Sequence, residues 1–243
     1  MDSVNGFDGA LKVFPLCCWR MKQTLFITGT DTGVGKTVLT ALLTRFLRER
    51  GVNAAALKPV CSGGRADARA LHAAMNGALT LDEINPWHFR AAIAPSLAAR
   101  LEKKLVRRSQ VLAHIRAAQK RFDVLVVEGA GGLLSPLGEN FDSRDLIAAL
   151  HARPIIVAPN QLGAVNHVLL TLEVLPKSLR GNARIVLMSP SKPDAAAVSN
   201  VNLLAQFFPA GKIFLVPWMG KNFPVAKVLK NPHVKRTFQG LVK

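Results

Sequence analysis

A cation, a hydroxyl and three glycines stand close together in Gly29-Thr30-Asp31-Thr32-Gly33-Val34-Gly35-Lys36-Thr37. Glycines let successive backbone N–H groups turn toward one anion, and a helix opening at Lys36 would add the positive end of its dipole. In such a loop the lysine reaches the β- and γ-phosphates of a nucleotide and the threonine hydroxyl ligates Mg²⁺. Five residues separate Gly29 from Gly35, one more than the common spacing for this motif. The plain alternative is a glycine-rich turn joining a strand to a helix, but Gly-Lys-Thr directly after a strand is rare by chance.

Two further segments carry charge where apolar residues would be expected. Ala56–Gly64 (ALKPVCSGG) places Lys58 at the end of an apolar run, followed by Ser62-Gly63-Gly64, which reads as a flexible turn rich in N–H groups. Lys58 is either a side chain snorkelling to water or a cation aimed at the same phosphates. Val126–Gly132 (VVEGAGG) ends a second apolar run in Glu128, and a carboxylate there is costly unless paired or bound to metal. Gly131 and Gly132 let the backbone approach a ligand. Asp67 follows the Ser62–Gly64 turn; alone it reads as an acid at a helix N-terminus. With Thr37 and Glu128 it makes a hard-oxygen set suited to Mg²⁺. Cys61 reads as a small packing residue rather than a reactive thiol. The residues by themselves point to an Mg²⁺-nucleotide phosphoryl-transfer site.

The elements around these residues are short apolar runs alternating with amphipathic ones. Strands are predicted at 24–28, 54–59, 124–128, 154–159, 184–189 and 213–217. Their apolar residues do not alternate strictly, as expected of strands buried on both faces. Helices are predicted at 37–50, 66–75, 95–104, 109–122, 142–150, 164–175 and 194–207. The βαβ alternation predicts an α/β fold, a mostly parallel central sheet between two layers of helices. Ligands of such sheets bind outside the C-terminal strand ends, where the three charged segments lie.

The chain has 243 residues, 49% of them hydrophobic and 19% charged, a composition of a globular domain and not of a disordered or fibrous chain. No apolar run reaches the roughly 18 residues of a membrane span. Three cysteines cannot all pair, so a reducing, cytoplasmic setting is expected. The net charge is +17, and between Lys177 and Lys243 eleven bases face Asp194 alone. The bases are scattered, which reads as a solvated basic face; a patch for phosphates, nucleic acid or acidic lipid is the alternative. Residues 1–20 differ from the rest and lack the pattern of a signal peptide. They are expected to be a flexible N-terminal extension of a single domain at 21–243, and a chain starting at Met21 is expected to keep full activity.

The three segments together resemble dethiobiotin synthetases, which belong to the P-loop NTPases and form a three-layer sandwich. The resemblance is carried by GTDTGVGKT (29–37), KPVCSG (58–63), Asp67, NPWHF (85–89), VEGAGG (127–132), LGAVNH (162–167) and VPWMGKN (216–222), in order over nearly all of 21–222. It implies a ligase that carboxylates 7,8-diaminopelargonate with CO₂, phosphorylates the carbamate with ATP and closes the ureido ring, a step in biotin biosynthesis. Lys36 and Lys58 would be catalytic. Thr37, Asp67 and Glu128 would hold Mg²⁺. ATP would meet Gly33, Val34, Gly35, Lys36, Thr37, Val38, Asp67, Glu128, Gly129, Ala130 and Gly131, and its base would meet Ser189, Val216, Pro217, Trp218 and Asn222. Thr32 and Ser62 would contact the carbamate or the diamine. The resemblance also implies a homodimer whose partner subunit offers Leu162, Gly163 and Asn166 at a helix N-terminus to the substrate carboxylate; the plain alternative for Asn166 and His167 is helix-surface polarity. No membrane or nucleic-acid partner is implied.

Two positions depart from that family. Gly33 stands where many members carry Glu, and Ser189-Pro190 stands where an Asn-Asp pair would bind adenine, so CTP is an alternative to ATP. The basic stretch after Asn222 has no counterpart in the family. Two rival readings remain. A ParA/MinD-like ATPase switch that binds DNA or membrane would need a second lysine within the loop, and Gly29–Gly35 contains none. A cobyrinate-type amidation ATPase would need a glutaminase domain with a catalytic cysteine, and no cysteine follows Cys61.

Overall fold

A computed structural model describes residues 22–220 and 225–243. In chain order the elements are β1 (Gln23–Gly29), α1 (Lys36–Arg48), β2 (Ala54–Leu57), β3 (Val60–Ser62), α2 (Ala66–Ala74), α3 (Leu81–Ile84), β4 (Trp87–Phe89), α4 (Pro95–Leu101) and α5 (Arg108–Arg121). There follow β5 (Val124–Gly132), α6 (Ser143–Leu150), β6 (Arg153–Pro159), α7 (Ala164–Val174), α8 (Lys177–Arg180), β7 (Arg184–Met188), α9 (Ala195–Leu204), β8 (Ile213–Val216), α10 (Val225–Lys230) and α11 (Pro232–Val242). The proposed extension at 1–20 and Asn222 lie outside the described residues.

Six strands form one parallel sheet in the order β2-β5-β1-β6-β7-β8, with helices around it. The apolar runs are buried on both faces: Leu25, Phe26 and Ile27 of β1 and Val126 and Val127 of β5 are shielded from solvent. All six predicted strands and all seven predicted helices are present, with ends shifted by a few residues. Helix α1 buries Leu39, Leu42, Leu43, Phe46 and Leu47 on one face, as its spacing predicts.

Register decides which charged residues meet. Ile27 of β1 pairs with Glu128 of β5, and Leu57 of β2 pairs with Val127. Lys58, the residue after Leu57, therefore falls in the row of Glu128. Glu128 does not end its strand: β5 continues four residues further, to Gly132, which pairs with Gly29 after an irregularity in register. The small residues Gly129-Ala130-Gly131-Gly132 allow that close pairing beside the loop.

Two features lie outside the sequence expectation. A small parallel sheet joins β3 to β4, pairing Cys61 with His88, and ties the segment after Lys58 to the Asn85–Phe89 stretch. The basic C-terminal stretch closes on two helices. Val234, Phe238 and Leu241 of α11 are buried, and the Phe238 ring meets that of Phe46 edge-on, with centroids 5.2 Å apart. Arg153 and Arg184, at the starts of β6 and β7, donate to the carbonyls of Leu241 and Gly240, fastening the end of α11 beneath the sheet.

Candidate active site

The site is built where β1, β5 and β2 end side by side. Lys58 is 5% exposed and Glu128 1%. The Lys58 ammonium donates to Glu128 Oε1 at 2.8 Å and also to Asp67 Oδ2, brought in by the first turn of α2. Lys58 is therefore not snorkelling: its charge is buried between two carboxylates. Burial alone would push its ammonium down, but Glu128 and Asp67 outweigh burial and hold it above the ordinary lysine value. The Thr37 hydroxyl donates to the same Glu128 oxygen at 2.6 Å. The other one, Glu128 Oε2, is buried with no hydrogen-bond partner among the described residues.

Lys36 opens α1 directly after the glycine-rich loop. Gly33 and Gly35 have φ of 75° and 100°, a left-handed conformation that a side chain at either position would strain. The Lys36 ammonium donates to the carbonyl of Asp31 at 2.7 Å, folded back into its own loop. Burial pushes Lys36 down to about 8, and the neighbouring Lys58 cation adds to the fall; Glu128, Asp67 and Asp31 only partly offset it.

These groups border one cleft of about 640 Å³. Thr32, Gly33, Gly35, Lys36, Thr37, Val38, Lys58, Ser62, Asp67, Ala130 and Gly131 all line it, so most of the residues singled out from sequence come together. The Ser62 hydroxyl donates to the Ile93 carbonyl at 2.5 Å, leaving its lone pairs as acceptors. The turn after it is not rich in free N–H groups: Gly63 and Gly64 donate to the carbonyls of Ala91 and Phe89. Cys61 is buried, donates to the Gly64 carbonyl, and burial pushes its thiol up, as suits a packing residue.

Sequence reasoning missed two parts of the wall. Ala92-Ile93-Ala94-Pro95, leading into α4, forms one side; its only signal was Pro95 at a helix start. Ser135 forms another, accepting from the Gly132 N–H at 2.8 Å. A Cβ at Gly131, whose φ is 67°, would lie 2.2 Å from the Ser135 hydroxyl oxygen, so this turn requires glycine.

Val34, Glu128 and Gly129 are buried and do not line the cleft, and the remaining expected residues also stand apart from it. Ser189 follows β7, its N–H donating to the Val216 carbonyl at 2.8 Å, and Pro217 and Trp218 follow β8. They share the C-terminal sheet edge with the phosphate loop, and Met188, just before Ser189, packs toward Gly35. Trp218 is 50% exposed. Leu162, Gly163 and Asn166 sit at the start of α7, where Leu162 is 81% exposed and its N–H donates to Asp194. None of these three lines this chain's own cleft. No described helix is long and apolar enough to cross a membrane.

Comparison with known proteins places the chain in a family. Residues 23–226 match a family described as an AAA domain. An ATP-dependent dethiobiotin synthetase of Akkermansia muciniphila is 39% identical over 76% of this chain and 87% of its own length. One of Anaeromyxobacter dehalogenans is 41% identical over 80% of this chain and 89% of its own. Among solved structures, a ParA family ATPase from Chlorobium tepidum superposes with a TM-score of 0.54 at 13% identity, covering 92% of this chain and 98% of that one. The MinC:MinD complex of Aquifex aeolicus gives 0.57 at 15%, covering 90% and 94%. At those identities the likeness is one of fold. The relatives at 39% and 41% identity are both named dethiobiotin synthetases, and the chain belongs to the dethiobiotin synthetase family.

Proposed function

We propose that this protein closes the ureido ring of dethiobiotin from 7,8-diaminopelargonate, CO₂ and ATP. The observation that carries the reading is the convergence of two buried ammonium groups, Lys36 and Lys58, on one cleft that also holds Thr37, Ser62 and Asp67. A carbamate and a γ-phosphate are both anions, and two buried cations suit them and the charge that develops between them.

The residues divide the work by position. One neutral amine of the substrate adds to CO₂ and gives up a proton to solvent, leaving a carbamate whose charge Lys58 neutralises. Ser62, whose proton is held by the Ile93 carbonyl, accepts from the amine end, and Thr32 borders the same space. The phosphate loop and Lys36 hold the triphosphate, with Val38, Ala130 and Gly131 on the cleft wall and Val34 and Gly129 as buried neighbours along the chain. The carbamate oxygen attacks the γ-phosphorus and ADP leaves. The second amine then attacks the carbamoyl carbon, the ring closes and phosphate is released. No covalent enzyme intermediate is needed; the chain contributes positioning and charge.

The residues also suit a divalent metal. Two carboxylates meet at the Lys58 ammonium, the Thr37 hydroxyl donates to one of them, and Glu128 Oε2 is a buried acceptor without a partner among the described residues. Thr37, Asp67 and Glu128 would hold Mg²⁺, which would neutralise phosphate charge. Base recognition by Ser189, Val216, Pro217, Trp218 and Asn222 belongs to the same proposal. So does a homodimer in which the partner's α7 N-terminus faces the substrate carboxylate, since a carboxylate at a helix N-terminus needs no side-chain cation.

The test is phosphate release with Mg²⁺ and bicarbonate, from ATP and separately from CTP, with and without the diamine. Diamine-dependent release is expected, with the ATP-to-CTP ratio reporting what Ser189-Pro190 does to base choice. Release indifferent to the diamine would overturn the proposal. Salt-sensitive retention on DNA would then favour the switch reading.

A further inference from the structure

Lys58 does not point freely into the cleft. Its ammonium is held by Glu128 Oε1 and Asp67 Oδ2, and Thr37 donates to that same Glu128 oxygen. These are the carboxylates assigned above to a divalent cation, so one pair of side chains serves two cations. We propose that Lys58 is the resident counter-ion of the Asp67–Glu128 pair, and that a divalent metal binding these carboxylates releases its ammonium toward the substrate anion.

The charges require something of this kind. A buried carboxylate without a cation is strongly disfavoured, and the Glu128 side chain has no exposure at all. Lys58 fills that role while the metal is absent. A dication satisfies both carboxylates by itself, and the ammonium is then left beside a like charge, that of Lys36, on the wall of the same cleft. Its best remaining partner is an anion entering the cleft. Asp67 gives the metal its way in, because its side chain is 45% exposed whereas that of Glu128 is closed off. The consequence is an order of events: the lysine reaches the substrate only in a site already loaded with metal. The proposal rests on the synthetase reading for the identity of the anion, and on the metal set for the exchange.

The test uses Mn²⁺ as the probe and the full chain without nucleotide. Free Mn²⁺ is counted by electron paramagnetic resonance in titrations of wild type and Lys58→Met, which keeps an unbranched side chain one atom shorter and removes the competitor. Lys58→Met is expected to bind Mn²⁺ about tenfold more tightly, the factor equivalent to one charge-assisted hydrogen bond no longer broken on binding. A crystal structure of wild type with Mn²⁺ should show the Lys58 ammonium beyond hydrogen-bond reach of Glu128, against 2.8 Å here. Mn²⁺ bound while that contact persists, or equal affinity in the two proteins, would overturn the exchange. No Mn²⁺ binding to either protein would overturn the metal set and the exchange together. Dethiobiotin formation by wild type, assayed separately, distinguishes these failures from a failure of the synthetase reading.

Discussion

Raising the pH through 8 should weaken nucleotide binding by the empty protein, because Lys36 is the group that loses its charge there. Burial and the Lys58 cation bring its ammonium down from 10.5 to about 8. If polyphosphate binds only the protonated form, the apparent Kd scales with the inverse of the protonated fraction, rising about twofold at pH 8 and about tenfold at pH 9. The assay is calorimetric titration with a non-hydrolysable ATP analogue between pH 7.5 and 9.5 at constant ionic strength, without diamine. Lys36→Arg, which keeps its charge throughout, should flatten the profile. The same shift has a sign in stability. Below pH 8 the lysine is protonated in both states and its burial cost is present in full. Between about 8 and 10.5 the unfolded state binds more protons, so stability rises with pH, by at most roughly 3 kcal/mol. Lys36→Met should remove that rise. A Kd that stays constant across the range in wild type, or falls off identically in Lys36→Arg, would refute the reasoning.

Three other substitutions separate chemistry from architecture. Lys58→Ala should lower kcat by at least about 10²–10³ while the analogue's Kd moves only a few-fold, read from steady-state kinetics and calorimetry; wild-type turnover would mean that the buried cation is structural. Gly131→Ala should lower kcat/KM by about tenfold or more, because the new Cβ meets the Ser135 hydroxyl at 2.2 Å on a backbone with φ of 67°, and adding Ser135→Ala should restore part of the loss. Phe238→Ala removes a fully buried ring that packs on Phe46 and should cost about 3–5 kcal/mol in urea unfolding, although it lies far along α11 from the chemistry.

The site was legible in sequence to the extent that its residues were costly. Lys36, Lys58, Glu128 and Asp67 stand out because a charge at the end of a buried strand or beside a glycine-rich turn needs a reason; strand register then brings Lys58 to Glu128, and the first turn of α2 adds Asp67. The cleft wall at Ala92–Pro95 was illegible because apolar residues that shape a site look like any other packing. Ser135 carries no local pattern at all; its role comes from the turn that folds its oxygen back to the Gly132 N–H. The expectation of free N–H groups at the Gly63-Gly64 turn failed for a related reason. Glycine marks where amides can be turned, but the short pairing of β3 with β4 decides that these two face the neighbouring segment. In the C-terminal stretch, the charge count drew notice to its basic residues, while the spacing of Val234, Phe238 and Leu241, one face of a helix, is what attaches it to the core.

Supplying [¹³C]bicarbonate with 7,8-diaminopelargonate, ATP and Mg²⁺, and weighing the product, tests the central claim most directly. The account predicts dethiobiotin heavier by one mass unit than the product made from unlabelled bicarbonate, formed with one phosphate released per ring. Phosphate released without labelled dethiobiotin would contradict it.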